Sequence, residues 1–226
     1  MKKLLSVFIV MMLITRVAAQ ECWLLPDKFI YERGEPVNIG FRIGENFEGG
    51  NWTGDTSRVK SLRFYYGDVK DDLRPAMGFE KGDSIQFSVL DEGTVMVTYS
   101  SKNWFIESDS TGGERFEYCS KTIFQIGNES NSLPDQETGL PLDILLQQNP
   151  YNISDSQMIT ATVVFQNEPL ENTLVKIWHR ENDTTSQQEI QTDENGAIRF
   201  QVAASGAWML TCVKMNYRAS CTWGYR

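Results

Sequence analysis

The 226-residue chain has a single histidine, His179. One imidazole excludes zinc sites that need several histidines, such as HExxH, in which two ring nitrogens share one helix face. The sequence also lacks a GxSxG nucleophile elbow, a P-loop and the glycine fingerprint of dinucleotide-binding domains. The sequence does not decide whether two carboxylates act as a pair in the way of glycosidases, because any acidic chain contains carboxylates that could do so. Since no nucleophile–base constellation is visible, we expect a protein that is not an enzyme.

Long hydrophobic runs are also missing. The longest is the 11-residue run at residues 4–14, which is too short to span a bilayer that needs about 20 residues. It follows a positively charged start and precedes the small residues 17–19, a pattern typical of a cleaved signal peptide. We predict that residues 1–19 are removed and that the mature protein is periplasmic and soluble, with no transmembrane segment. The residues before Cys22 are not the small ones of a lipoprotein site, so we expect no lipid anchor.

Basic residues are scarce, with 21 Lys and Arg against 30 Asp and Glu. Removal of the signal peptide takes away Lys2, Lys3 and Arg16 and leaves 18 basic residues, so the mature chain has a net charge of −12. Such a chain repels phosphate backbones, and no cluster of Lys and Arg offsets the repulsion. We therefore expect no nucleic acid among its partners.

Apolar and polar residues alternate with a period of two along most of the chain. In one such segment Val37, Ile39, Phe41 and Ile43 alternate with polar residues or glycine, which is typical of a strand with one buried face. We predict further strands at residues 62–66, 85–90, 95–99, 121–126, 159–165, 174–178, 198–202 and 208–215. No amphipathic helix longer than two turns is visible, so the sequence predicts an all-β protein.

A polar stretch divides the chain into two blocks. Residues 127–139 (GNESNSLPDQETG) contain no aromatic residue and no β-branched residue except Thr138. Each flanking block has the size of a β-sandwich module. We predict two tandem immunoglobulin-like β-sandwich domains at residues 20–127 and 140–226, joined by a linker at residues 128–139.

The four cysteines of an exported protein favour disulfides, for which three connectivities are possible. Cys212 and Cys221 suit each other, because a reversal at Asn216-Tyr217 would place them directly opposite on an antiparallel pair. We pair Cys22 with Cys119, because the terminal strands of a sandwich often run close together. The sequence has no CxxC motif, which argues against thioredoxin-like redox chemistry and a zinc ribbon.

Three residues are candidates for ligand contacts. His179 directly follows Trp178, the last residue of a predicted strand, and alternation continued by one residue places their side chains on opposite faces. His179 is either an ordinary surface or hydrogen-bonded histidine or a lone metal ligand assisted by carboxylates. Trp52 and Trp104 lie in polar loops, where aromatic rings can stack on sugars. The alternative is that they fold over the end of the core, because burying a large apolar side chain is worth about 1.5–3 kcal/mol.

Two acidic segments, residues 67–72 (GDVKDD) and 192–196 (TDENG), offer carboxylates that could hold a hard cation such as calcium. The second lacks the ligand series and the closing glutamate of a calcium loop. We interpret it as a hairpin turn, and the first as a solvated loop between strands.

Several segments resemble an exported bacterial family that is catalogued as a domain of unknown function and described as the periplasmic component of nickel/cobalt uptake systems. They are residues 23–29 (WLLPDKF), 41–47 (FRIGENF), 121–127 (KTIFQIG), 138–144 (TGLPLDI), 175–180 (VKIWHR), 192–196 (TDENG), 206–209 (GAWM) and 222–225 (TWGY). The resemblance covers nearly the whole mature chain.

This resemblance implies a non-enzymatic accessory protein of transition-metal uptake, with nickel or cobalt as its metal and a membrane transporter component or another envelope protein as its partner. Family members commonly begin the mature chain with Ala-His-Glu-Phe-Trp, where this chain has Gln20 in place of the histidine. His179 is the only transferable candidate ligand. The second half also resembles transthyretin-like and collagen-adhesin-type modules. That likeness favours the alternative function, an envelope protein- or glycan-interaction module with no metal role.

Overall fold

The computed structural model describes residues 20–52, 56–77, 83–102, 104–106, 114–129, 131–134 and 136–225, and only the backbone of residues 104–106 and 114–115. The predicted signal peptide lies outside these residues. Within them the chain forms eighteen β-strands and three single-turn 3-10 helices, which confirms the all-β prediction. None of the helices described is long and apolar enough to cross a membrane.

The first block contains ten strands: β1 (Glu21–Pro26), β2 (Ile30–Tyr31), β3 (Pro36–Glu45), β4 (Glu48–Asn51), β5 (Val59–Tyr66), β6 (Val69–Asp72), β7 (Ser84–Ser88), β8 (Gly93–Ser101), β9 (Trp104–Ile106) and β10 (Glu114–Ile126). The second block contains eight: β11 (Leu142–Leu146), β12 (Met158–Phe165), β13 (Glu168–Pro169), β14 (Leu174–Glu181), β15 (Thr184–Gln191), β16 (Ala197–Gln201), β17 (Ala207–Lys214) and β18 (Tyr217–Gly224). The 3-10 helices are Thr56–Arg58, Arg74–Ala76 and Pro150–Asn152.

The strands form three layers. A ten-stranded middle sheet has the order β15-β14-β17-β18-β10-β8-β5-β6, with β2 and β9 also paired to β10. One outer sheet contains β1, β3, β4 and β7, and the other contains β11, β12, β13 and β16. Alternate residues of β10 belong to two different cores, since Phe124 packs with Phe41 of β3 and Ile123 packs with Leu142 of β11. Because successive side chains of a strand point to opposite faces, the two outer sheets cover opposite faces of the middle sheet.

The two blocks share the middle sheet. The last strand of the first block, β10, pairs in parallel with the last strand of the second block, β18, from Glu117↔Tyr217 to Thr122↔Thr222. Strand β1 lies over this junction, where the hydroxyl groups of Ser120 and Ser220 both donate to the Cys22 carbonyl oxygen at 2.8 Å. The described residues of the predicted linker form no strand. The blocks are therefore joined edge to edge rather than only through this segment.

A small apolar cluster also connects the blocks. Trp23 and Phe47 of the first block pack with Trp178 and Met209 of the second. Phe47 is fully buried although its φ of 60° lies in the left-handed region, which usually costs a non-glycine residue about 1–3 kcal/mol. Arg180 of β14 donates from Nη1 to the Phe47 carbonyl oxygen at 3.1 Å, and its guanidinium carbon lies 4.5 Å from the Phe47 ring centre. Burial and these contacts hold the β3–β4 turn against the second block.

An ion pair is buried in the opposite core. Lys121 Nζ of β10 lies 2.5 Å from Asp143 Oδ1 of β11, and the two side chains are only 1% and 4% exposed. Asp143 also accepts hydrogen bonds from Thr138 Oγ1 at 2.6 Å and from the Ile144 amide at 2.7 Å. Lys121 Nζ has no hydrogen bond of ordinary geometry in the structure. The ammonium group therefore depends on Asp143, whereas the carboxylate has two further donors.

Candidate functional site

His179 is half-buried on β14 and its ring is engaged on two sides. The imidazole stacks on Trp208 with ring centres 4.2 Å apart, and Nε2 lies 3.0 Å from the Ser205 carbonyl oxygen. Because a carbonyl accepts hydrogen bonds only, Nε2 carries the proton and Nδ1 is the nitrogen left for a metal. Trp178 packs in the cluster on the other face of the sheet, which confirms the predicted alternation. Among the residues described, no group of three or more His, Cys, Asp or Glu side chains could hold a metal ion.

The structure places Trp52 and Trp104 in different parts of the fold. Trp52 is only 3% exposed and packs against Phe41 and Tyr99, with ring centres 5.6 and 6.0 Å away. The hypothesis that Trp52 stacks on sugars is therefore wrong: the ring gains more from burial at the end of the core. Trp104 lies in β9, where its backbone pairs with Phe116; its side chain lies outside the described part of the chain.

The cysteines are free, buried thiols in the structure. Burial raises the pKa of Cys22, Cys119 and Cys221 to about 12, and it raises the pKa of Cys212 further. Thiols with such pKa values stay protonated at neutral pH and are poor nucleophiles. They fill the core as small apolar side chains.

The structure contains neither of the two predicted disulfides. The β17–β18 reversal lies at Met215-Asn216, one residue earlier than predicted, so Cys212 is opposite Ala219 and Cys221 is opposite Leu210. Moving a turn by one residue shifts the cross-strand register by two residues. Cys22 and Cys119 belong to the cores on opposite faces of the middle sheet, which keeps their sulfur atoms apart.

The two acidic segments have different structures. Asp193 Oδ1 accepts from the Asn195 and Ala197 amides at 2.9 and 2.8 Å, and Gly196 takes a φ of +69°. The other segment is the β5–β6 hairpin, in which Asp72 binds Arg74 with an Nε–Oδ2 distance of 2.9 Å. The interpretation of residues 192–196 as a hairpin turn is confirmed, whereas the interpretation of residues 67–72 as a loop is wrong for Val69–Asp72, which form the exposed strand β6.

A groove opens where β14 and β17 part. Pairing between these strands ends at Val175–Cys212, so Leu174 and Val213 lie beyond the ladder and are 44% and 49% exposed. The gap has a volume of about 340 Å³, and the first residue of β1, Glu21, lies against it. We call this space the Glu21 groove.

Glu21 has one satisfied and one unsatisfied oxygen. Oε1 accepts from Thr211 Oγ1 at 3.0 Å, whereas Oε2 is buried without a hydrogen-bond partner in the structure. Burial and the charge of Glu45 raise the pKa of this carboxyl group. Its pKa is lowered by the hydrogen bond from Thr211, by the charge of Lys176 and by the Trp178 indole. Burial is the largest influence, so the pKa lies above its ordinary value.

Three cations surround the same groove in a chain that is acidic overall. Lys176 of β14, Lys214 of β17 and Arg218 of β18 line it. Neither Lys176 nor Lys214 forms a salt bridge with a residue in the described ranges. Glu189 lies opposite Lys176 on β15, where its carboxylate accepts from Gln187 Nε2 at 2.9 Å.

Strand β15 is an edge of the middle sheet. All eight of its residues pair with β14, and no other described strand pairs with it. Its sequence TTSQQEIQ contains one charged residue, Glu189, and no proline. The opposite edge, β6, has four residues (VKDD), of which three are charged. Short, charged edge strands resist further pairing and long uncharged ones do not, so β15 is the less protected edge.

Sequence patterning missed both the groove and β15. β15 is polar on both faces, so no period of two marks it, although Asn182-Asp183 before it occupies a turn with φ values of 47° and 62°. That Asn-Asp pair after a predicted strand is the signal that could have indicated a hairpin. The groove depends on where two strands part, which no local pattern encodes.

The chain matches the sequence model of a family described as "Domain of unknown function (DUF4198)" over residues 17–215, and it belongs to that family. No curated protein matches the chain.

The solved structures that the chain matches share little sequence with it. A DUF4785 family protein from Legionella pneumophila is 11% identical, with a TM-score of 0.29, and the match covers 86% of this chain and 54% of that one, about half its length. Murine CEACAM1b is 7% identical, with a TM-score of 0.25 and coverage of 92% and 99%. The α2-macroglobulin of Escherichia coli is 8% identical, with a TM-score of 0.25 and coverage of 92% and 14%.

Proposed function

We propose that this member of the DUF4198 family is a non-enzymatic, exported accessory protein that binds an extended segment of another envelope protein along β15. The observation behind the proposal is the unprotected eight-residue edge of the middle sheet. A row of open backbone N–H and C=O groups selects one kind of partner, which is a chain in extended conformation.

The energetics indicate a transient contact. Each backbone hydrogen bond contributes about 0.5–1.5 kcal/mol net, and ordering each residue of the incoming segment costs about 1–2 kcal/mol. Backbone pairing is therefore close to balanced, and side-chain contacts must supply the affinity. The exposed side chains of β15 offer hydroxyl and amide groups for such contacts.

The chemistry of the described residues supports a binding role rather than catalysis. The four thiols are buried and protonated. The single imidazole donates to a carbonyl and stacks on Trp208. In the residues that the structure describes, neither the thiols nor the imidazole is paired with a base.

The resemblance to nickel/cobalt uptake components supports a more specific version of the proposal, in which the partner is a membrane transporter component. In this version His179 is the first metal ligand to test, through Nδ1. Cleavage after residue 19 would deliver the protein to the periplasm, where such a partner is accessible.

In vivo photo-cross-linking tests the edge contact. A photo-cross-linking amino acid replaces Gln187 of β15 or, as a matched control, Val69 of β6, which is also exposed. We expect one discrete adduct with another envelope protein from position 187 only. The adduct should disappear when Gln188→Lys places a charge on the edge. Equal adducts from both edges, or an adduct with a second copy alone, would contradict the proposal.

Calorimetry tests the metal version separately. Nickel or cobalt chloride is titrated into mature protein that begins at Gln20, beside the His179→Ala and Gln20→His variants. Micromolar binding that is lost in His179→Ala supports it. Absence of micromolar binding to the natural protein rejects a metal role and leaves the edge contact to be judged by cross-linking.

A further inference from the structure

We propose that the Glu21 groove is a binding site for a small organic anion, a carboxylate or phosphate ester, held by Lys176, Lys214 and Arg218. This site is distinct from the β15 edge and does not depend on the proposed partner. Its volume of about 340 Å³ lies at the small end of the range for ligand pockets, which indicates a small molecule.

The charge distribution is the first argument. The groove is lined by three cations and one carboxylate, although the whole chain has 30 acidic and 21 basic residues. The two lysines come from neighbouring strands and have no carboxylate within salt-bridge distance in the described part of the chain. Cations concentrated in a concave, partly desolvated site attract anions more strongly than the same cations on a convex surface.

The shape of the groove supplies the second argument. Beyond the end of the β14–β17 ladder, no strand among the described residues pairs with the backbone of Val213 and Lys214 on this side. Thr211 and Thr173 line the groove beside these backbone groups and provide hydroxyls. The exposed side chains of Leu174 and Val213 form an apolar rim. The combination suits a ligand with an anionic head and a short apolar body.

Glu21 determines how such a site responds to pH. Ionised, its carboxylate repels an anion in the groove; protonated, it carries no charge and the repulsion is lost. The groups that face it are Thr211 on β17, Trp178 and Lys176 on β14, and Glu45 at the end of β3, and burial keeps the Glu21 pKa above its ordinary value. Protonation of Glu21 should therefore strengthen anion binding.

Calorimetry with citrate, succinate and inorganic phosphate tests the site at pH 5.5 and 7.5 in low salt. We expect at least one of the three to bind with a millimolar or lower Kd at one or both pH values. Lys176→Gln should weaken binding about tenfold, since a charge-assisted hydrogen bond is lost. The exposed Lys102→Gln removes the same charge elsewhere and should leave binding unchanged. Comparing the probes distinguishes a carboxylate ligand from a phosphate.

The Glu21→Gln variant completes the test, because it retains a side-chain partner for Thr211 and cannot ionise. We expect it to bind the same probe at least as tightly as the natural protein at both pH values, with the larger gain at pH 7.5, and to keep only the pH dependence that comes from the probe's own ionisation. Three results would overturn the proposal: no binding of any probe at 10 mM at either pH, equal weakening by Lys102→Gln, or binding of nickel or spermidine in place of the anions.

Discussion

The buried Lys121–Asp143 pair joins the two blocks, and its contribution to stability can be tested by replacing each residue alone and then both together. The ammonium and carboxylate lie 2.5 Å apart with almost no exposure. Breaking a buried pair by removing one partner typically costs about 3–5 kcal/mol, because a charge stays buried without compensation. Against a total stability of about 5–15 kcal/mol, such a loss is large.

The structure predicts unequal costs for the two single variants. Lys121→Met leaves an Asp143 carboxylate that still accepts from Thr138 and from the Ile144 amide. Asp143→Asn leaves the Lys121 ammonium with no other hydrogen-bond partner in the structure. We expect about 3 kcal/mol for Lys121→Met and about 5 kcal/mol for Asp143→Asn.

The double variant should be much more stable than the sum of the singles predicts. In Lys121→Met with Asp143→Asn no charge remains, and the amide of residue 143 can still bond Thr138 and the Ile144 amide. Replacing a buried ion pair by neutral groups of similar volume is often close to neutral. We therefore expect the double variant to lose less than about 2 kcal/mol.

Equilibrium urea unfolding, followed by the fluorescence of the six tryptophans, measures these free energies. The exposed Arg74–Asp72 pair is the control: Arg74→Met should leave the free energy of unfolding nearly unchanged, because solvent screens an exposed pair. Single variants that cost no more than this control, or a double variant as unstable as the sum of its parts, would refute the reasoning.

Three further outcomes follow from the structure. The pKa of Glu21 is raised in the folded chain, so the folded chain binds this proton more tightly than the unfolded chain does. Ionisation of Glu21 therefore lowers the free energy of unfolding as the pH rises above about 4.5. Urea unfolding should find Glu21→Gln more stable than the natural protein at pH 7 and equal to it at pH 4. Phe47→Ala should lower the free energy of unfolding by about 3 kcal/mol, because the burial of the ring is lost and alanine, which keeps its Cβ, gains nothing at the positive φ. Met215 is 75% exposed and has a φ of 52°, a conformation that strains any residue with a side chain but not glycine. Met215→Gly should therefore stabilise the β17–β18 hairpin by up to about 1 kcal/mol and raise the Tm. A fall in Tm would contradict this prediction.

Local pattern predicted the strands whose two faces differ. In β3 the alternating Val37, Ile39 and Phe41 are all buried, as expected. The same method missed β15, whose two faces are both polar. It also misplaced one turn by a single residue, and this was enough to put Cys212 opposite the wrong partner. Period-two patterns report burial, whereas register depends on which residues tolerate the turn.

The sequence by itself determined the all-β class, the acidic balance and the family to which the chain belongs. These properties follow from composition and from neighbouring residues along the chain. The tertiary structure decided that β10 and β18 pair in parallel, that two outer sheets cover one shared sheet, and that Glu21, Lys176 and Arg218 meet at one groove. Glu21 and Arg218 are nearly two hundred residues apart. Only the packing of β1 over the second block brings them together, because long-range pairing is chosen by the burial of whole faces and not by any local signal.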